Sequence, residues 1–262
     1  MSSAICQVYY LTGTGNSVQI TKRLEAELGA EIRGMASFQS EQKIRVECDM
    51  LGLVVPVYFL DIPHFVKEFV SKLEIHPDTF VFSIVHCGAL PGFSLSTLHK
   101  MIEKNGAKLN SAHIVYMPDN SIVFYTKKEK IHKMLQDFDH RLNEVIASLR
   151  VKKEKSVKRD TPTFFLPEIT KSIFHLFGVN KKRVLAQQCI NCGLCKRLCP
   201  VECISYTDGE PVWKKGCVYC FACIHWCPNR AIRFGSLKIT DKSGYTNPNC
   251  SAEEIEAQKF VS

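Results

Sequence analysis

The stretch ICQVYYLTGTGNS, residues 5–17, decides the fold. Ile5 to Leu11 is a continuous apolar run of strand length, the pattern of a strand buried on both faces. It leads into Thr12, Gly13, Thr14, Gly15, Asn16 and Ser17. Apolar residues then recur at helical spacing through Val18, Ile20, Leu24 and Leu28, and Gly29 is placed to end the helix. Such a turn can hold an anion, because backbone amides and short hydroxyls gather at the positive end of the helix dipole. Val18 breaks the third glycine of the dinucleotide fingerprint, and no Gly-Lys-Ser/Thr follows. A phosphate monoester therefore suits the loop better than a dinucleotide or a nucleoside triphosphate. The plain alternative is a tight turn with no ligand.

Outward from this stretch, strand and helix patterns keep alternating. Strands are expected at Glu31 to Met35, Met50 to Tyr58, Thr79 to Cys87 and Ser111 to Met117. Helices are expected at Ile62 to Leu73, Ser94 to Lys104 and Lys127 to Arg150. This alternation predicts an α/β domain over residues 1–150, a parallel sheet with helices on both faces. Residues 151–182 read as a charged linker followed by an aromatic strap. In the strap, Phe164, Phe165, Phe174 and Phe177 are interrupted by Glu168, Lys171 and His175, so it packs one domain on the other and does not span a membrane. Residues 183–240 are a cysteine-rich domain and residues 241–262 a polar, peripheral tail. No apolar stretch has the length of a membrane span, and Met1 to Leu11 lacks a basic leader, so a cytoplasmic protein is expected.

Nine of the thirteen cysteines lie between Cys189 and Cys227. Disulfides are rare in the cytosol, so clustered cysteine there points to metal. One spacing, C-x2-C-x2-C-x3-C-P, occurs twice: Cys189, Cys192, Cys195, Cys199, Pro200, and then Cys217, Cys220, Cys223, Cys227, Pro228. Zinc knuckles use paired cysteines and would leave two of each run without a role. Three cysteines at two-residue gaps instead let one loop wrap a polynuclear cluster, with a fourth thiolate supplied from elsewhere. Cys203 falls outside the pattern and reads as a small buried residue.

Charge is uneven. Sixteen basic residues meet sixteen acidic ones over residues 1–150, whereas residues 181–240 carry ten against three. A basic half can signal nucleic acid, but anionic clusters buried there account for most of the excess. Redox partner proteins with an acidic docking surface are expected, and nucleic acid is not.

The chain resembles the flavodoxin–ferredoxin fusion proteins of anaerobes. The twofold cysteine run is the bacterial two-cluster ferredoxin signature, and T-G-T-G-N-S is similar to the loop that holds the FMN phosphate in flavodoxins. The resemblance implies a doubly wound five-stranded sheet of order 2-1-3-4-5 and a small α+β domain with two [4Fe–4S] clusters. One cluster would be bound by Cys189, Cys192, Cys195 and Cys227, the other by Cys217, Cys220, Cys223 and Cys199. FMN would take its phosphate at Thr12 to Ser17. Its ring would lie between Pro56, Val57, Tyr58 and Phe59 and the loop of His86, Cys87 and Gly88, with Asn120 at its edge. The implied function is an electron relay between clusters and flavin. The alternative is a flavin-dependent reductase of a small acceptor such as a quinone, with His86 as a candidate proton donor. The balanced charge of residues 1–150 departs from the acidity of many free flavodoxins, so their partners do not carry over.

Overall fold

A computed structural model of the chain describes residues 5–122, 124–156, 182–235, 237–240 and 243–260. The aromatic strap expected at 163–179 lies outside the described residues. The first part runs β1 (Cys6–Tyr10), α1 (Asn16–Leu28), β2 (Glu31–Gly34), β3 (Ile44–Val46), β4 (Met50–Pro56) and α2 (His64–Ser71). It continues through β5 (Leu73–Ile75), β6 (Phe80–Cys87), α3 (Ser94–Lys104), β7 (Leu109–Tyr116) and α4 (Lys128–Arg150).

Five parallel strands form the main sheet in the order β2-β1-β4-β6-β7, while β3 and β5 pair with each other outside it. Counted among its own strands, the sheet reads 2-1-3-4-5. The direction of winding reverses between β1 and β4, so the loops after them meet at the switch point. Strands β1, β4 and β6 are buried at every position, as a sheet covered on both faces requires. Val8, Tyr10, Val54 and Phe82 pack with Ile20, Leu24, Phe138 and Leu142 of α1 and α4. Tyr9, Leu53, Val55 and Val85 pack with Val66, Phe69, Leu98 and Ile102 of α2 and α3. Each large apolar side chain so buried contributes about 1.5–3 kcal/mol, so a one-residue slip in register would be expensive on both faces.

The second part contains β8 (Lys182–Val184), α5 (Leu194–Arg197), β9 (Ile204–Thr207), β10 (Glu210–Trp213), α6 (Ala222–His225), β11 (Ile232–Phe234), β12 (Leu237–Lys238) and α7 (Ala252–Ala257). Strands β9 and β10 form a hairpin turned by Asp208 and Gly209, both at positive φ, the conformation that an Asp-Gly turn supplies. Strands β12, β11 and β8 form a small antiparallel sheet. A separate core holds Cys199, Cys203, Ile204, Cys223, Ile224, Ile232 and Phe234.

The tail is not peripheral. Tyr245, Asn247, Ile255 and Gln258 are buried, and α7 packs into the core shared with α1. Its polar residues bond to backbone and side chains of the first domain, which composition alone does not distinguish from solvation. Among the described residues no helix is long and apolar enough to cross a membrane.

Candidate functional site

The two cysteine runs fold alike. Asn191 (φ 53) and Gly193 (φ 74) adopt left-handed backbone in the first, and Tyr219 (φ 57) and Phe221 (φ 58) do so at the matching positions of the second. Glu202 (φ 50) and Arg230 (φ 48) repeat the match beyond each last cysteine. Left-handed backbone costs an L-residue about 1–2 kcal/mol, so five non-glycine instances mark loops whose shape is imposed from outside their local preference. The shape turns amides toward sulfur: Tyr219 N–H donates to Cys217 Sγ at 3.4 Å and Ala231 N–H to Cys227 Sγ at 3.3 Å.

Each loop encloses a void. The first, of about 20 Å³, is lined by Cys189, Cys192, Cys195 and Cys227, together with Tyr206, Pro211 and Ile232. The second, of about 10 Å³, is lined by Cys217, Cys220, Cys223 and Cys199, with Cys203, Lys182, Trp213 and Phe234. Among the described residues no three His, Cys, Asp or Glu side chains converge on a point that one metal ion could occupy. The thiols stand around a space instead.

The second void is the more buried of the two: Cys199, Cys220 and Cys223 are buried, whereas Cys192 beside the first is exposed. Cys203 lies 3.6 Å from Cys199 Sγ. Its thiol bonds toward both neighbours, and these bonds lower Cys199 to about 7 and Cys217 to about 6, while Cys203 itself is pushed up. Burial raises Cys220 and Cys223. Burial also works to lower the Lys182 ammonium, yet its contact with Cys217 outweighs this and holds it above its ordinary value. Lys182 Nζ also lies 4.9 Å over the Tyr219 ring and 4.8 Å over that of Phe234. Neither Lys182 nor the role of Cys203 was visible in spacing, because both arrive from outside the repeated run.

The glycine-rich loop is buried at every position from Thr12 to Ser17. Ser17 donates to Leu11 O at 2.6 Å and is 2.8 Å from His86 Nε2, which must therefore donate to it. Asn16 Nδ2 donates to Pro118 O at 3.0 Å. Four consecutive carbonyls of the loop accept from the C-terminal region. Gln258 Nε2 donates to Thr12 O (3.1 Å), Trp226 Nε1 to Gly13 O (3.1 Å), Asn247 N to Thr14 O (2.7 Å) and the Cys250 thiol to Gly15 O (3.2 Å).

The loops expected beside a flavin ring are engaged in the same way. The Phe59 ring meets Tyr219 edge-on at 5.6 Å. Asn120 Nδ2 donates to Cys220 O at 3.2 Å, and Asn120 O accepts from His225 Nε2 at 2.7 Å. Burial raises the Tyr58 hydroxyl and, with it, the Cys87 thiol, which reaches about 12. Gly88 lies so close to Asp119 that a Cβ there would stand 2.5 Å from the Asp119 Cβ. Pro56 ends β4, and Val57 N donates to His86 O at 3.1 Å. What remains between Thr12, Gly13, Tyr58, Gly88 and Asn120 is a void of about 20 Å³, far below the size of a ligand pocket. As arranged, these residues do not fit a flavin: the ring's neighbours are taken by the second cysteine run. The signal for this lay in Ile224-His225-Trp226, where the first run has Lys196-Arg197-Leu198. A half-buried Trp and His need polar partners, which Gly13 O and Asn120 O supply.

Burial holds His86 neutral, lowered to about 3, and His225 likewise, lowered to about 4, from an ordinary 6.5. Only the unfolded chain takes up these protons near pH 6.5, so the stability involved is full above that value and drains as pH falls. Going from pH 7 to 5.5 should remove about 1 kcal/mol per histidine. Urea unfolding at the two pH values checks this, and a midpoint that does not fall on acidification contradicts it.

No family model matches the chain. An uncharacterized protein of Methanocaldococcus jannaschii is 34% identical over 71 residues, 27% of this chain. The match spans about 28% of that relative's length. Among solved structures, the two-electron-reduced flavodoxin of Megasphaera elsdenii is 20% identical, covering 55% of this chain and 99% of its own, at a TM-score of 0.34. A flavoprotein of Lactobacillus acidophilus in complex with FMN is 8% identical, covering 52% and 99%, at 0.33. Rubredoxin:oxygen oxidoreductase of Desulfovibrio gigas is 9% identical, covering 56% and 36%, at 0.36.

Proposed function

We propose that this chain is an electron carrier holding two [4Fe–4S] clusters, one on Cys189, Cys192, Cys195 and Cys227, the other on Cys199, Cys217, Cys220 and Cys223. The observation that carries the reading is the make-up of the two voids: each is lined by three cysteines of one run and the last of the other. A cluster of this kind supplies one-electron chemistry over a wide range of potentials. The chain's own residues shape that chemistry. Helix α5 carries Cys195 and leads directly to Cys199, and Cys223 on α6 leads to Cys227, so each one-turn helix links the two sites covalently. The exposed Cys192 and Ile190 make the first site the entry, and exposed Arg183 and Lys196, near it in the chain, suit an acidic partner. The flavin expected from the loop sequence would need the second cysteine run and the tail to leave Thr12 to Ser17, so the reading rests on the clusters alone.

Anaerobic reductive titration tests it. The chain should take up about two electrons with bleaching in the visible. A chain that takes up none, or bleaches only as a flavin does, contradicts the reading. Lys182 gives a sharper outcome. Its cation beside Cys217 favours the more negative, reduced state of that site, so Lys182→Met should lower one potential by roughly 50 mV, about 1 kcal/mol, and leave the other. Redox titration followed by electron paramagnetic resonance reads both; equal shifts, or none, would count against the placement.

A further inference from the structure

We infer that the Thr12–Ser17 loop is the seat of this chain's own C-terminal region, and that this seating keeps flavin out of the closed protein. A loop of this composition at a strand end usually presents its backbone to a ligand. Here the ligand's place is taken by protein, on three independent counts.

First, the carbonyls of Thr12, Gly13, Thr14 and Gly15 each accept from a different C-terminal residue, Gln258, Trp226, Asn247 and Cys250 in turn. The bond to Gln258 is reciprocal, since Thr12 N donates to Gln258 Oε1 at 3.0 Å, and Gln258 is fully buried. Second, Asn16, the first residue of α1, is saturated: its Oδ1 accepts from the Tyr245 hydroxyl at 2.7 Å and from Asn247 Nδ2 at 3.1 Å. Third, the contact is too close for anything to lie between. A Cβ on Gly13 would stand 2.3 Å from Cys220 O, and one on Gly34 would stand 2.0 Å from Gln258 O. Both obstacles are backbone.

The consequence is chemical. The carbonyl of a cysteine in the second run rests where a ring-bearing ligand would enter, and Phe59, one of the residues expected beside such a ring, packs on Tyr219 of that run. The first domain then acts as a rigid base that positions the second cysteine site, and its anion loop is a protein-binding element. This holds whether or not the cysteine sites carry iron, because every contact named is made by protein atoms.

The test uses the whole chain as purified without oxygen. Acid-released flavin is assayed, FMN fluorescence is titrated with the protein, and hydrogen exchange is followed at residues 12–17. The inference expects no released flavin, no quenching of FMN, and protected amides in the loop. The double variant Asn247→Ala/Gln258→Ala, which lies outside both cysteine runs and removes the side-chain bonds to Asn16, Gln19 and Thr12, should exchange those amides at least about tenfold faster. One flavin per chain, or stoichiometric FMN binding with the loop still protected, overturns the inference; so does a double variant whose loop exchanges as slowly as before. Iron assayed on the same samples separates this outcome from that of the cluster reading.

Discussion

Cys227→Ala should remove the same cluster as Cys192→Ala, although Cys227 belongs to the other run. In each variant about half of roughly eight irons is lost, and the surviving spectrum is the same. Cys199→Ala and Cys217→Ala should form the second matching pair. In the lining of the voids Cys227 stands with Cys189, Cys192 and Cys195, and Cys199 with the second run. Alanine is preferred to serine because a hydroxyl can still ligate. The positive-φ loops add a structural penalty: Tyr219 and Phe221 hold left-handed backbone that only a bound group repays, so the affected half should also become more protease-sensitive. If Cys227→Ala and Cys220→Ala leave the same cluster, the runs bind separately and the crossed assignment is wrong.

Gly13→Ala should destabilise the closed chain by about 3 kcal/mol, at the upper end of overpacking effects. The added methyl meets Cys220 O at 2.3 Å, and no side chain can swing aside to relieve it. Either the cysteine loop lifts, which breaks the Trp226 bond to Gly13 O and the Asn120 bond to Cys220 O, or the first domain distorts. Gly13 is not at positive φ, so alanine brings no backbone strain of its own to confuse the result. In a chain whose loop faced a small ligand, the same substitution would weaken ligand binding and leave unfolding unchanged. Urea denaturation of wild type and variant therefore separates the two, and a difference below about 0.5 kcal/mol contradicts the seating.

The sheet was legible because its strands obey two simple constraints. Ile5 to Leu11, Met50 to Tyr58 and Thr79 to Cys87 are apolar apart from Gln7, Thr79, Ser83 and His86, as strands covered on both faces are, and the helices between them carry the matching period. The repeated cysteine run was visible in spacing, whereas the crossed grouping of its cysteines was implied only by the resemblance. What the sequence hid was the relation between the halves. Thr12 to Ser17 reads as an anion loop whatever fills it, since amides that greet a phosphate leave carbonyls that can greet Trp226 or Asn247. Asn247, Cys250 and Gln258 lie in a polar tail, and polarity alone cannot separate residues that face water from residues that satisfy buried backbone. Lys182 stands at the end of the segment between the domains, remote in sequence from Cys217, and only the pairing of β8 with β11 brings it there.

One assay tests directly whether the eight cysteines hold two iron–sulfur clusters. Protein purified without oxygen is analysed for iron, acid-labile sulfide and zinc against protein concentration. About eight irons and eight sulfides per chain, with no zinc, is the predicted result. Zinc without sulfide would make the cysteine loops structural and contradict the account.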